Sequence, residues 1–305
     1  MIVSSSKQQQ TNEETMKVIA NLKLEVMKKL GFVLLAGIVA LSACTDEAEE
    51  TGIDESLTDT ALTDAEVDAV YEDIDDLSSL SLESTGNVLG GKVADEEPAD
   101  DRFCEGIITF EGDKSGGTIT IDFGDGCEDD FGNIRKGKII IAYTGPRFEP
   151  GSTVITTLVD YSINDIAIEG TRTLENISTS SVDYPTFNIT LVGGKVTWPD
   201  ETFATRDSDR VRVWKRERNP REDAHLITGE ANGVTRRGVA YEMQILDTLV
   251  YKRACRISRR ARIPVQGVKQ IETEEKIITI DFGDGECNRR FEVICEGKTE
   301  DVTVD

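Results

Sequence analysis

The chain has 305 residues, enough for one large or two small domains, and carries a formal charge of −24 with a single histidine, His225. The charge is unevenly spread: residues 45–101 hold 20 Asp and Glu against Lys92 alone, residues 1–44 carry +2, and residues 102–305 are left with about −7. That balance excludes nucleic acid as a partner, because binding it needs a positive face that displaces counterions. The lone histidine removes His-cluster metal sites and weakens Ser-His-Asp or Cys-His catalysis.

At the N-terminus, Met27-Lys28-Lys29 gives a positive start, and 30–43 is an apolar run of 14 residues. It is shorter than the roughly 20 residues a spanning helix needs. The run ends Leu41-Ser42-Ala43-Cys44. This ending resembles the lipobox of bacterial lipoproteins, which implies that Cys44 is lipidated, becomes the first mature residue and ties the chain to a membrane. Each buried acyl CH₂ contributes about 0.8 kcal/mol, so two or more chains anchor stably. Residues 1–26 precede this signal, and the true start is read as Met27 or Met16. Residues 1–44 are therefore set aside from fold reasoning.

Residues 45–101 read as an acidic tether. Thr45-Asp46-Glu47-Ala48-Glu49-Glu50 cannot bury enough apolar surface to order itself. Acids directly after the lipidated Cys resemble the surface-export signal of Bacteroidota lipoproteins, and a solvated spacer facing the periplasm fits as well. Within the tether, Val67, Val70, Tyr71, Ile74 and Leu77 recur at helical spacing, and Thr63 with Glu66 makes a capping box. One short amphipathic helix over 63–81 is predicted, docked by its apolar stripe on the β domain with its acidic face in water. Residues 84–101 read as a linker.

From residue 102 to 305 the pattern is period two. Strands are predicted over 118–123, 138–143, 153–163, 166–174, 187–191, 210–214, 225–228, 239–245, 277–282, 291–295 and 301–304, within a total of 13 to 15. Turn signals separate them at Asn164-Asp165, Gly193-Gly194, Asn232-Gly233 and Gly297-Lys298. Short connections force antiparallel pairing. The predicted fold is all-β, a large antiparallel sandwich or curled sheet, with two fused half-domains as the alternative.

Ile-Asp-Phe-Gly-Asp-Gly occurs twice, at 121–126 and 280–285, and each copy is followed by a cysteine. In an oxidising compartment these cysteines are expected to pair as Cys104–Cys127 and Cys255–Cys287, leaving Cys295 free; Cys287–Cys295 is the competing pair. Asp122, Asp125 and Asp129 are candidate calcium ligands, but the second copy replaces the trailing acids with Asn288-Arg289-Arg290. The Asp-Phe-Gly-Asp-Gly core also resembles that of polycystic-kidney-disease repeats, which are extracellular β-sandwich modules, although Ile121 and Ile280 stand where those repeats carry Trp. The reading preferred is structural: a strand ends at Phe and Gly-Asp-Gly turns the chain.

Against the acidic trend, 206–218 is basic, with Arg206, Arg210 and Arg212 near Trp214, and further arginines follow at 236–262. Arg210, Arg212, Trp214 and Trp198 are a candidate ligand face for lipid phosphates, an acidic glycan or the protein's own acidic tail. Alternation of Arg210 and Arg212 with Val211 and Val213 predicts instead that the charges face water. No catalytic motif, cofactor loop or metal motif occurs.

Lipobox, acidic tether, Thr120-Ile-Asp-Phe-Gly-Asp-Gly-Cys127, Gly137-Lys-Ile-Ile-Ile-Ala-Tyr-Thr-Gly145, Ile168-Glu-Gly-Thr-Arg-Thr173 and the second Ile-Asp-Phe-Gly-Asp-Gly together resemble a family of Bacteroidota outer-membrane lipoproteins. The resemblance implies location and architecture, and no activity. The expectation is a non-catalytic, lipid-anchored envelope component without a cofactor, facing the cell surface or the periplasm and binding a glycan or an envelope protein. A surface glycan-binding module, with Trp198, Trp214 and Tyr184 exposed, is the first alternative, and a carboxylate-based hydrolase is the second.

Overall fold

The computed structural model describes residues 53–88, 100–179, 184–257 and 263–304. Cys44, the predicted signal segment and the predicted tether up to residue 52 lie outside them, as does most of the predicted linker.

Helix α1 (Glu55–Val88) is longer than the predicted 63–81. Its cap is Asp54, whose Oδ1 accepts the Ser56 N–H at 2.8 Å and whose carbonyl accepts the Leu57 N–H. Thr63 and Glu66 therefore sit inside the helix, not at its start. At 1.5 Å per residue α1 spans ~51 Å.

Fourteen strands follow among the described residues. The first seven are β1 (Ile107–Asp113), β2 (Gly116–Asp122), β3 (Cys127–Glu128), β4 (Ile134–Thr144), β5 (Thr153–Ile163), β6 (Ile166–Asn176) and β7 (Thr186–Thr197). The rest are β8 (Phe203–Lys215), β9 (Ala224–Val234), β10 (Ala240–Lys252), β11 (Gln266–Thr273), β12 (Ile277–Asp284), β13 (Arg290–Cys295) and β14 (Lys298–Thr303), with the short helix α2 (Arg253–Ile257) after β10. They form one antiparallel meander in chain order, with β3 beside β4 in line with β2; β1 and β14 are its two edges. The fold is thus an all-β curled sheet, open between its edges, and not a sandwich.

The sheet curls around α1. From Ser56 to Leu82 no residue of the helix is exposed. The predicted apolar stripe is present, with Val67, Tyr71, Ile74 and Leu77 at most 3% exposed. These four pack with the inward residues of β2 to β8, while Ala61 and Ala65 pack with those of β9 to β14. Burying each large apolar side chain contributes about 1.5–3 kcal/mol.

Curvature needs close backbone approaches, and glycines supply them. A Cβ on Gly170 in β6 would lie 2.9 Å from Gly194 Cα in β7, and one on Gly233 in β9 would strike the Thr205 carbonyl in β8. Gly193-Gly194 and Asn232-Gly233 are therefore inside strands, at a register shift of β7 in the first case, and not in the turns predicted. Asn164-Asp165 and Glu296-Gly297 do turn the chain, all at positive φ.

The two hexapeptide copies share one device. Asp122 Oδ1 accepts the Gly124 N–H at 3.0 Å and Asp281 Oδ1 accepts the Gly283 N–H at 2.8 Å, while Phe123 and Phe282 are buried. The first copy ends β2 at Asp122, but the second continues β12 to Asp284, past the predicted end at Phe282. Both predicted disulfides form, Cys104–Cys127 and Cys255–Cys287, and Cys295 is a buried free thiol.

Candidate functional site

Asp64, Asp68, Glu72 and Asp75 follow one another along one face of α1, at steps of four, four and three residues. On β8, Arg206, Arg210 and Arg212 share the inward face, since side chains alternate along a strand. From Asp64 to Asp75 is ~16 Å of helix and from Arg206 to Arg212 is ~20 Å of strand, so the two rows run in step. Arg206 meets Asp64 and Asp68, Arg210 Nη2 donates to Asp68 at 2.8 Å, and Arg212 Nη2 donates to Glu72 at 2.6 Å and to Asp75 at 3.0 Å.

Neighbouring strands complete the ladder. Arg172 from β6 forks onto Asp75, with Nε–Oδ1 2.6 Å and Nη2–Oδ2 2.8 Å. Lys269 from β11 reaches Asp64 and Asp68. Arg135 from β4 donates to Asp73 at 2.7 Å and to the Tyr161 hydroxyl at 2.8 Å, and approaches Asp129 at 3.4 Å. All these side chains are at most 7% exposed.

The expectation that Arg210, Arg212 and the acids of α1 face water is thus reversed. Charges point inward and Val211 and Val213 point outward, because the helix supplies a carboxylate for each guanidinium and buried charges persist only when paired. Burial alone pushes Asp68 up, but Arg210, Lys269 and Arg206 overcome it and hold the carboxyl well below the usual range. Asp75 behaves likewise under Arg172 and Arg212.

The other candidate residues are separated. Trp214 is inward, its Nε1 donating to Asp223 at 3.1 Å, whereas Trp198 lies under the Arg236 guanidinium at 4.5 Å. Both tryptophans are 8% exposed, so they do not form the exposed platform of the glycan-binding alternative; Tyr184 is 46% exposed. Asp122 pairs with Lys138 at 2.7 Å, Asp129 is turned in toward Arg135, and Asp125 is exposed on its turn. Among the described residues no group of three metal-ligating side chains converges.

Among the described residues Arg147 breaks the pairing rule. Arg147, in the loop after β4, stacks on Trp214, Phe187 and Phe148 with its guanidinium carbon 5.3–5.7 Å from the ring centroids. The residue as a whole is half-buried, but its Nε and Nη1 are shut off from solvent and meet no acceptor. Burial, helped by Arg212, brings it down to about 10, so it remains charged at neutral pH.

Arg147 lies on the wall of a cavity of about 420 Å³ between α1 and the sheet, a volume suited to a small molecule. Tyr251 and His225 line it too. The Tyr251 hydroxyl is buried without a partner, and burial with Asp68 and Glu72 nearby holds it well above the usual phenol range. Burial, then Arg212 and Arg147, hold His225 well below the usual imidazole range, so it is neutral. Arg147 and Tyr251 thus offer donors that the protein itself does not use. The lining acids Glu72 and Asp73 are locked to arginines and are poorly placed to shuttle protons.

No signal singled out Arg147 or Tyr251 in the sequence. No protein-family model matches the chain, and no curated protein or solved structure does either. Among the described residues no helix is long and apolar enough to cross a membrane.

Proposed function

We propose that the protein is a lipid-anchored, non-catalytic binding component of the outer membrane that takes a small molecule bearing an anionic group in the cavity beside α1. The observation carrying this reading is Arg147, whose buried nitrogens lack an acceptor where every neighbouring interior cation has a carboxylate. Leaving buried donors of a charged group unmet is costly, and a ligand carboxylate removes that cost. The anchor rests on the sequence around Cys44. The test has two arms. A thermal-shift screen of organic anions against neutral isosteres is expected to give saturable stabilisation that Arg147→Gln removes; no shift by any anion contradicts the binding reading. Incorporation of an acyl label that Cys44→Ala abolishes supports the anchor, and labelling that survives this change contradicts it.

A further inference from the structure

The cavity's two walls carry opposite charge, and this narrows the ligand class within the binding reading, on which the inference rests. Seven of its lining residues are Asp or Glu against three Arg. Arg147 and Tyr251 line the sheet wall, and the Arg147 Nε and Nη1 and the Tyr251 hydroxyl lie just behind its surface without an acceptor. On the helix wall Glu83 is exposed, while Asp76, two turns before it, is half-buried and faces Arg102 at 3.5 Å; Asp101, also exposed, lines the cavity too. A ligand with an anionic group alone would gain at Arg147 and be repelled by this acidic wall. A ligand with a cation alone would leave the Arg147 and Tyr251 donors unmet.

We infer that the cavity takes a zwitterion, with its carboxylate on Arg147 and the Tyr251 hydroxyl and its ammonium toward Glu83. The two groups are arranged so that one ligand satisfies both walls. Arg147 keeps the guanidinium plane fixed by its aromatic stack, so the carboxylate end is positioned, while the exposed Glu83 leaves the ammonium end partly in water.

Isothermal titration of the intact disulfide-bonded protein with 6-aminohexanoate, hexanoate and hexylamine tests this, followed by ω-amino acids of other lengths. The zwitterion is expected to bind about two- to fivefold tighter than hexanoate, the gain of one partly exposed ion pair. Glu83→Gln is expected to shrink that gain while leaving hexanoate affinity unchanged or raised, and Arg147→Gln to abolish both. Equal affinity for hexanoate and 6-aminohexanoate overturns the zwitterion and leaves the anion site standing. Binding that favours hexylamine, or that survives Arg147→Gln, overturns both.

Discussion

Asp68→Asn probes the charged interior at its centre. Asp68 is 4% exposed and accepts from Arg206, Arg210 and Lys269. Asn keeps the shape and removes the charge. Arg206 and Lys269 retain Asp64, but Arg210 has no other carboxylate among the ion pairs of the described residues. Breaking a buried pair from one side costs about 3–5 kcal/mol, because the remaining charge is left in a poorly solvating interior. That is a large fraction of the ~5–15 kcal/mol that holds a typical domain together. For a domain of this size it corresponds to a drop in Tm of ~6–20 °C. Urea and thermal melts of the oxidised protein read it directly, with Arg237→Ala as control: that residue pairs with Asp59 at an exposed site, and its loss should leave the midpoint close to that of the unaltered protein. A loss below about 1 kcal/mol for Asp68→Asn would refute the argument that the interior is held by matched charge.

Other outcomes follow from the same structure. Replacing the pair together, Asp68→Leu with Arg210→Met, should recover much of the loss in a double-mutant cycle, since the isolated charge is gone. Asp68 and Asp75 have depressed folded-state values, so their stabilisation is present above the unfolded carboxylate range and is lost as pH falls below about 4 toward the folded values; urea midpoints should stay level from pH 7 to 5 and drop steeply under 4. Replacing Cys104 and Cys127 with Ser should cost about 3 kcal/mol and loosen the turn that carries Arg102, read by the melt and by exchange protection at 100–106. Gly170→Ala should cost about 1–3 kcal/mol, since its φ is +125° and Gly194 Cα blocks the added Cβ; a neutral melt would contradict the close approach.

Much of the architecture was legible in the residues. Period-two alternation carries the strands, and paired cysteines flanking a repeated Ile-Asp-Phe-Gly-Asp-Gly carry both disulfides. The interior was not. Asp64, Asp68, Glu72 and Asp75 at helical spacing, and Arg206, Arg210 and Arg212 at strand spacing, each look like a solvated face when taken alone, because unpaired charges belong in water. Only their mutual fit, across some 140 positions of sequence, brings both inside. The signal is present as two rows of opposite charge, one on a helix and one on a strand. The first half of β8 is hidden for the same reason, since Arg206, Asp207 and Asp209 mask its alternation. Gly193-Gly194 read as a turn because turns and strand bends both use glycine. Arg147 gave no signal, since what sets it apart is the acceptor it lacks in space.

The most direct measurement compares Arg147→Met with Arg172→Met in one experiment, recording urea stability and anion binding for each. Arg172 is forked onto Asp75, so its loss should cost about 3–5 kcal/mol. Arg147 has no carboxylate to abandon and its unmet donors leave with it, so its loss should cost clearly less than that of Arg172, at most the roughly 2 kcal/mol of its aromatic stack, and abolish anion binding. Equal destabilisation by the two changes, or anion binding that persists without Arg147, would contradict the reading of Arg147 as an interior charge reserved for a ligand.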